Sequence, residues 1–91
     1  MIQFEKYRLL PQEVQAEILW MEGTYLELIR KKIGLNIELY ALDNFYVEIY
    51  FDRINGEPLL LRSFNEMKDL DSYLGQIHIE GLFEADNKST L

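Results

Sequence analysis

Leu39-Tyr40-Ala41-Leu42-Asp43-Asn44-Phe45-Tyr46-Val47-Glu48-Ile49-Tyr50 sets two runs of β-branched and aromatic residues around a short polar pair. Such side chains suit the pleated, half-buried surface of a strand, and Asp-Asn suits a turn, so the stretch predicts an antiparallel hairpin. Directly opposed residues of the pair share a face of the sheet, so loop length decides which side chains lie together. A two-residue turn at Asp43-Asn44 would set Leu39 against Glu48 and Tyr40 against Val47, mixing apolar and polar partners. A three-residue loop over Leu42, Asp43 and Asn44 instead opposes Ala41 with Phe45, Leu39 with Val47 and Ile37 with Ile49. That register keeps one face apolar and gives Asn44 the left-handed position, and it is the one the pattern predicts.

Outward from this hairpin the period of two continues, with strands expected over 24–30, 35–41, 45–52 and 59–63. For the hairpin after Asp52, a loop of Ile54, Asn55 and Gly56 places Gly56 in a left-handed bulge position. It pairs Phe51 with Leu59 and Ile49 with Leu61 on one face, and Glu48 with Arg62 and Tyr46 with Phe64 on the other. The first hairpin, around Lys31 to Gly34, is compatible with two or four loop residues. Connections this short cannot carry crossovers, so the strands form an up-and-down meander.

Helices flank the strands. Pro11 suits the first position of a helix over 11–22, and Gly23 suits its left-handed stop. Leu10, Val14, Ile18 and Met21 fall on one stripe, widened by Leu19 and Trp20. After the strands, Ser63-Phe64-Asn65-Glu66 has capping-box spacing, and Met67, Leu70, Leu74 and Ile77 recur at helical intervals beside Tyr73, with Gly75 as an early stop. Residues 1–10 read as an N-terminal arm or an early helical turn, 78–83 as a short extended segment, and 84–91 as a flexible tail. The expectation is one α+β domain over 1–91, a four-stranded antiparallel meander in the order α-β-β-β-β-α. Both helices are expected on one face, over a core of Leu26, Leu28, Ile37, Leu39, Val47, Ile49, Phe51, Leu59 and Leu61.

That assignment leaves Tyr25, Glu27, Ile29, Glu38, Tyr40, Tyr46, Glu48, Tyr50, Leu60, Arg62 and Phe64 on the opposite face. So many aromatic and apolar side chains on an uncovered sheet mark an interface, for which tyrosine and arginine are favoured. The candidate interface is Tyr25, Tyr40, Tyr46, Glu48, Tyr50, Leu60, Arg62 and Phe64, serving a homo-oligomer (a dimer) or another protein partner. A small ligand held on the same face is the alternative.

Composition narrows the chemistry. The chain has 91 residues, 48% hydrophobic, with 16 acidic and 9 basic side chains and a net charge of −7. One small domain is all this length encloses. An acidic chain repels phosphate backbones, and Arg30-Lys31-Lys32 reads as a solvated hairpin tip, so no nucleic-acid partner is expected. No apolar run approaches the ~18 residues of a membrane span and no leader pattern opens the chain, so no membrane partner is expected and the cytoplasm is the expected location. Cysteine is absent and His78 is the lone histidine, so disulfides, thiolate sites and metal clusters are not expected. The five glycines stand apart, which excludes a phosphate-cradling loop. Ser63 and Ser72 lack a base in sequence context, and Glu27, Glu38 and Glu48 read as solvated sheet residues. The chain is expected to be non-catalytic, without cofactors.

Two resemblances accompany this reading. Gly23-Thr24-Tyr25-Leu26, the run from Leu39 to Tyr50, and Leu70-Asp71-Ser72-Tyr73-Leu74-Gly75-Gln76-Ile77 resemble a family of small bacterial proteins with no assigned activity. The resemblance implies no catalytic or binding residues. Leu9, Pro11, Glu13, Val14 and Glu17-Ile18-Leu19 are similar to helical antitoxin segments, which implies a regulatory protein as a further alternative.

Overall fold

The computed structural model describes residues 2–78. In chain order it holds α1 (Phe4–Tyr7), α2 (Gln12–Glu22), β1 (Thr24–Lys32), β2 (Leu35–Leu42), β3 (Phe45–Asp52), β4 (Pro58–Phe64), a 3-10 helix (Met67–Tyr73) and α3 (Leu74–His78). The strands make one antiparallel sheet in the order β1-β2-β3-β4. The class is therefore α+β, a four-stranded meander with helical segments at both ends, as the alternation and short connections predict. His78 closes α3, whereas the extended segment and tail expected beyond it lie outside the described residues.

Register decides which faces exist. β3 and β4 pair as expected, with Tyr46 opposite Phe64, Glu48 opposite Arg62 and Ile49 opposite Leu61. Gly56 takes the positive φ, 76°, that its turn requires. A register shift after Tyr50 puts Phe51 opposite Pro58 rather than Leu59. The first hairpin closes over Ile33-Gly34, with Lys32 opposite Leu35. The central hairpin corrects the sequence reading: Leu42 faces Phe45 across a two-residue turn, Tyr40 faces Val47 and Leu39 faces Glu48. The left-handed residue is Asp43, φ 58°, rather than Asn44.

The two-residue turn is tolerated because both faces of the sheet are covered. One core gathers Tyr7 of α1, Leu19 of α2 and Leu42, Phe45 and Val47 of the sheet. The other gathers Leu39 and Phe64 with Leu70 and Tyr73 of the 3-10 helix, flanked by Leu26, Leu28 and Tyr46. Neighbouring strand residues point to opposite faces, so Leu39 and Tyr40 belong to different cores. The N-terminal helices and the C-terminal segment thus lie on opposite sides of the sheet, not on the single face expected. An all-apolar register on one face is consequently not required, and the central hairpin adopts the tighter turn.

The helical segments differ in detail from their sequence signals. Residues 1–10 include a helical turn whose Tyr7 is fully buried against Phe45, ring centroids 5.2 Å apart. The Tyr7 hydroxyl donates to the Gln15 carbonyl at 2.8 Å, and Gln15 Nε2 donates to the Leu10 carbonyl at 2.9 Å. This stapling turns α2 so that Gln15 and Leu19 are buried while Val14 and Met21 are exposed. Pro11 precedes the first turn rather than opening it. Gly23 is extended (φ −80°), so it is not a left-handed stop. A Cβ there would lie 2.6 Å from Leu19 Cδ1 and 2.7 Å from the Leu19 carbonyl oxygen. Glycine is needed at Gly23 for close approach. Ser63 pairs within the sheet opposite Val47, so the Ser63–Glu66 capping box does not form. Leu70 and Tyr73, three apart, are the buried pair of the 3-10 helix, as its three-residue period dictates.

A glutamine meets each margin of the sheet at one residue. On β1, the Ile29 amide donates to Gln76 Oε1 (3.2 Å) and Gln76 Nε2 donates to the Ile29 carbonyl (2.6 Å). On β4, the Leu61 amide donates to Gln12 Oε1 (2.7 Å) and Gln12 Nε2 donates to the Leu61 carbonyl (3.2 Å). Each carboxamide offers the donor and acceptor that a further strand would offer.

Candidate functional site

The eight candidate interface residues divide between the two faces. Tyr46, Glu48, Tyr50, Leu60, Arg62 and Phe64 share the face covered by the C-terminal segment, whereas Tyr25 and Tyr40 share the face of the N-terminal helices. Phe64 and Glu48 are buried there, and Tyr46 stacks on Phe64 with ring centroids 5.6 Å apart.

Glu48 is the centre of the first group. Its side chain is 1% exposed. Arg30 Nε donates to Oε2 at 3.0 Å, Arg62 Nη1 to Oε1 at 2.9 Å, and the Tyr73 hydroxyl to Oε2 at 2.7 Å. The Tyr50 hydroxyl donates to Oε1 at 3.2 Å and accepts from Arg30 Nη2 at 3.1 Å. Burial alone would push the Glu48 carboxyl up. The hydrogen bonds from Arg30 and Tyr73 and the charges of Arg30 and Arg62 outweigh it and hold the group below the usual carboxylate range. Burial and then the Glu48 carboxylate push the Tyr73 hydroxyl upward. A carboxylate this enclosed and this fully paired joins β1, β3, β4 and the 3-10 helix. Its cost of burial is offset only while every partner stays in place.

The other face carries open apolar surface. Between α2 and the sheet runs a groove of ≈ 520 Å³. Leu19, Trp20 and Gly23 line it from the helical side, and Tyr25, Tyr40, Ile49, Phe51, Pro58 and Leu61 line it from the strands. Trp20, the one tryptophan of the chain, is 90% exposed at its wall. None of the lining residues carries a charge. The groove exists because α2 is a single short helix over a sheet four strands wide.

Tyr25 and Tyr40 close one part of this groove. Their rings stand 5.1 Å apart, inclined at 38°. A bulge between Tyr25 and Leu28, with Glu27 at φ 61°, sets them opposite each other. Continued without it, the pairing of Leu28 with Leu39 would bring Tyr25 opposite Leu42 instead. The Tyr40 hydroxyl donates to Glu38 Oε1 at 3.0 Å. Burial, with the Glu38 carboxylate adding to it, raises the Tyr40 hydroxyl to about 12, and burial followed by the charges of Glu38 and Glu27 raises Tyr25.

Of the candidate residues, Tyr25 and Tyr40 line this groove; Trp20, Ile49, Phe51 and Leu61, which the sequence reading assigned to the core side, line it too. The available signal was the α2 stripe centred on Gln15 and Leu19, which turns Trp20 outward. Among the described residues, no group of three His, Cys, Asp or Glu side chains could hold a metal ion, and no helix is long and apolar enough to cross a membrane. Compared with protein-family models, curated proteins and solved structures, the chain matches none.

Proposed function

We propose that this chain is a non-catalytic binding protein that docks another polypeptide in the groove between α2 and the sheet. The carrying observation is Trp20, 90% exposed beside uncharged walls. A large aromatic held in water next to an apolar depression is the arrangement that interface anchors adopt. Sheet edges are the other common docking place, and the carboxamides of Gln12 and Gln76 occupy them at Leu61 and Ile29. A small ligand on the same face is the second reading, favoured by the apolar lining of the groove and set back by the scarcity of polar groups in it, since the Tyr25 and Tyr40 hydroxyls and the Trp20 indole N–H are the only side-chain ones among its lining residues. The non-catalytic reading rests on Glu48, whose carboxylate is ionised, enclosed and committed to Arg30 and Arg62. With no cysteine to protect or oxidise, the cytoplasm is the compartment this reading assigns.

The test is site-specific photo-crosslinking in cells, with benzoylphenylalanine at Trp20 and, separately, at the equally exposed Ile54. A discrete adduct from position 20 and none from position 54 is the expected result. Equal labelling from both, or none from either, would remove the reading. The mass of the adduct, and of the untreated protein by light scattering, separates a second copy from a different partner.

A further inference from the structure

The groove has an uneven electrical character. Its floor of Ile49, Phe51 and Leu61 is neutral, but the end formed by Tyr25 and Tyr40 lies in the field of unneutralised carboxylates. Glu38 accepts a hydrogen bond from the Tyr40 hydroxyl, is half-buried, and, among the described residues, pairs with no basic side chain. Glu48, on the opposite face, has two guanidinium partners. Both phenol groups register Glu38, and Tyr25 registers Glu27 as well. The faces of tyrosine rings also attract cations, most strongly where water is thinned. Two tilted rings and an unbalanced carboxylate beside an apolar trough therefore form a seat for a positive group joined to apolar ones.

Resting on the docking role proposed above, we infer that the groove takes a basic amphipathic helix of another protein: its apolar side chains lie on Ile49, Phe51 and Leu61, and a lysine or arginine sits against Tyr25 and Tyr40 beside Glu38. Charge complementarity selects this occupant over a second copy. Apposing two grooves would bring two Glu38 carboxylates together on chains that each carry −7. The groove lies between a helix and a sheet face rather than along a strand edge, and at Leu61 and Ile29 the edge groups an added strand would need are already bonded to Gln12 and Gln76, which favours a helix.

The experiment uses the full chain and two synthetic 14-residue helical peptides, one of leucine and lysine and its counterpart of leucine and glutamate. Trp20 is the only indole, so its emission reports groove occupancy directly. The lysine peptide is expected to shift Trp20 emission to shorter wavelength and the glutamate peptide to leave it unchanged. Glu38→Gln and Tyr25→Leu should each weaken the lysine peptide by about fivefold. Glu66→Gln, which removes an equal charge that bonds neither tyrosine, should change binding by less than about twofold. Equal binding of both peptides, or equal effects of Glu38→Gln and Glu66→Gln, would overturn the cation seat while leaving the docking groove intact. No emission shift with the lysine peptide, together with a doubled mass of the free protein, would replace this partner with a second copy. No shift from a monomer would overturn the inference, and position-20 crosslinking then decides the groove itself.

Discussion

Glu48 and Gly23 show how single positions fix this molecule. The Glu48 carboxylate is surrounded by Arg30, Arg62, Tyr50 and Tyr73. Glu48→Gln leaves two guanidinium groups facing a neutral amide, and urea denaturation at neutral pH should show a loss of about 3 kcal/mol. Because the folded carboxyl lies below its ordinary value near 4.5, its contribution is present above that value. It is lost as pH falls through the lowered folded value. The same variant should therefore flatten the acid limb of the stability curve, and an unchanged limb would show that other carboxylates govern it. Gly23 is a steric requirement. In Gly23→Ala the new methyl meets the Leu19 carbonyl, which cannot move without breaking the end of α2. A loss of about 1–3 kcal/mol is expected in the same measurement. A neutral result would mean that the last turn of α2 at Leu19 can open at no cost.

Strands and helices were legible in the sequence to different depths. The β3–β4 register could be read because Glu48 and Arg62 are complementary, and so are Tyr46 and Phe64. The β2–β3 register could not, since choosing it by demanding one apolar face presumes that only one face is covered. Both are covered, and Ile37, Leu39 and Val47, grouped as one core surface in the sequence, divide between opposite sides. Glu48 was misplaced for the same reason: an acid among alternating residues reads as solvated until its arginines are brought in from β1 and β4. Trp20 was hidden by a helix whose apolar residues occupy more than one stripe. No local pattern announced the edge-closing glutamines either, since each meets its strand across 47 or 49 residues. Gln76→Ala should accelerate hydrogen exchange of the Ile29 amide, and Gln12→Ala that of the Leu61 amide, each at a stability cost of about 1 kcal/mol. The double variant, with two open margins, should assemble in a concentration-dependent way by light scattering. Protection unchanged at both amides would show that the carboxamides are incidental.

At the scale of the whole molecule, the tyrosines set an alkaline limit. Burial raises Tyr7 to about 12, burial with Glu38 raises Tyr40 to about 12, and burial with Glu48 raises Tyr73. Each folded hydroxyl titrates above its unfolded value of 10.0, so stability from these groups is complete below pH 10 and falls as pH rises toward 12. Circular dichroism melts across that window should show the descent, and Tyr7→Phe should make it shallower. A flat profile to pH 12 would contradict the burial of these hydroxyls. The sheet also acts as a partition: the two clusters of buried and flanking apolar residues have no member in common. Substitutions on the Trp20 side can therefore vary without disturbing the Glu48 lock behind it. One leaf of the molecule is thus free to be rewritten while the other keeps its keystone, and a library confined to the Trp20 leaf should retain folded members at a higher rate than one confined to the partners of Glu48.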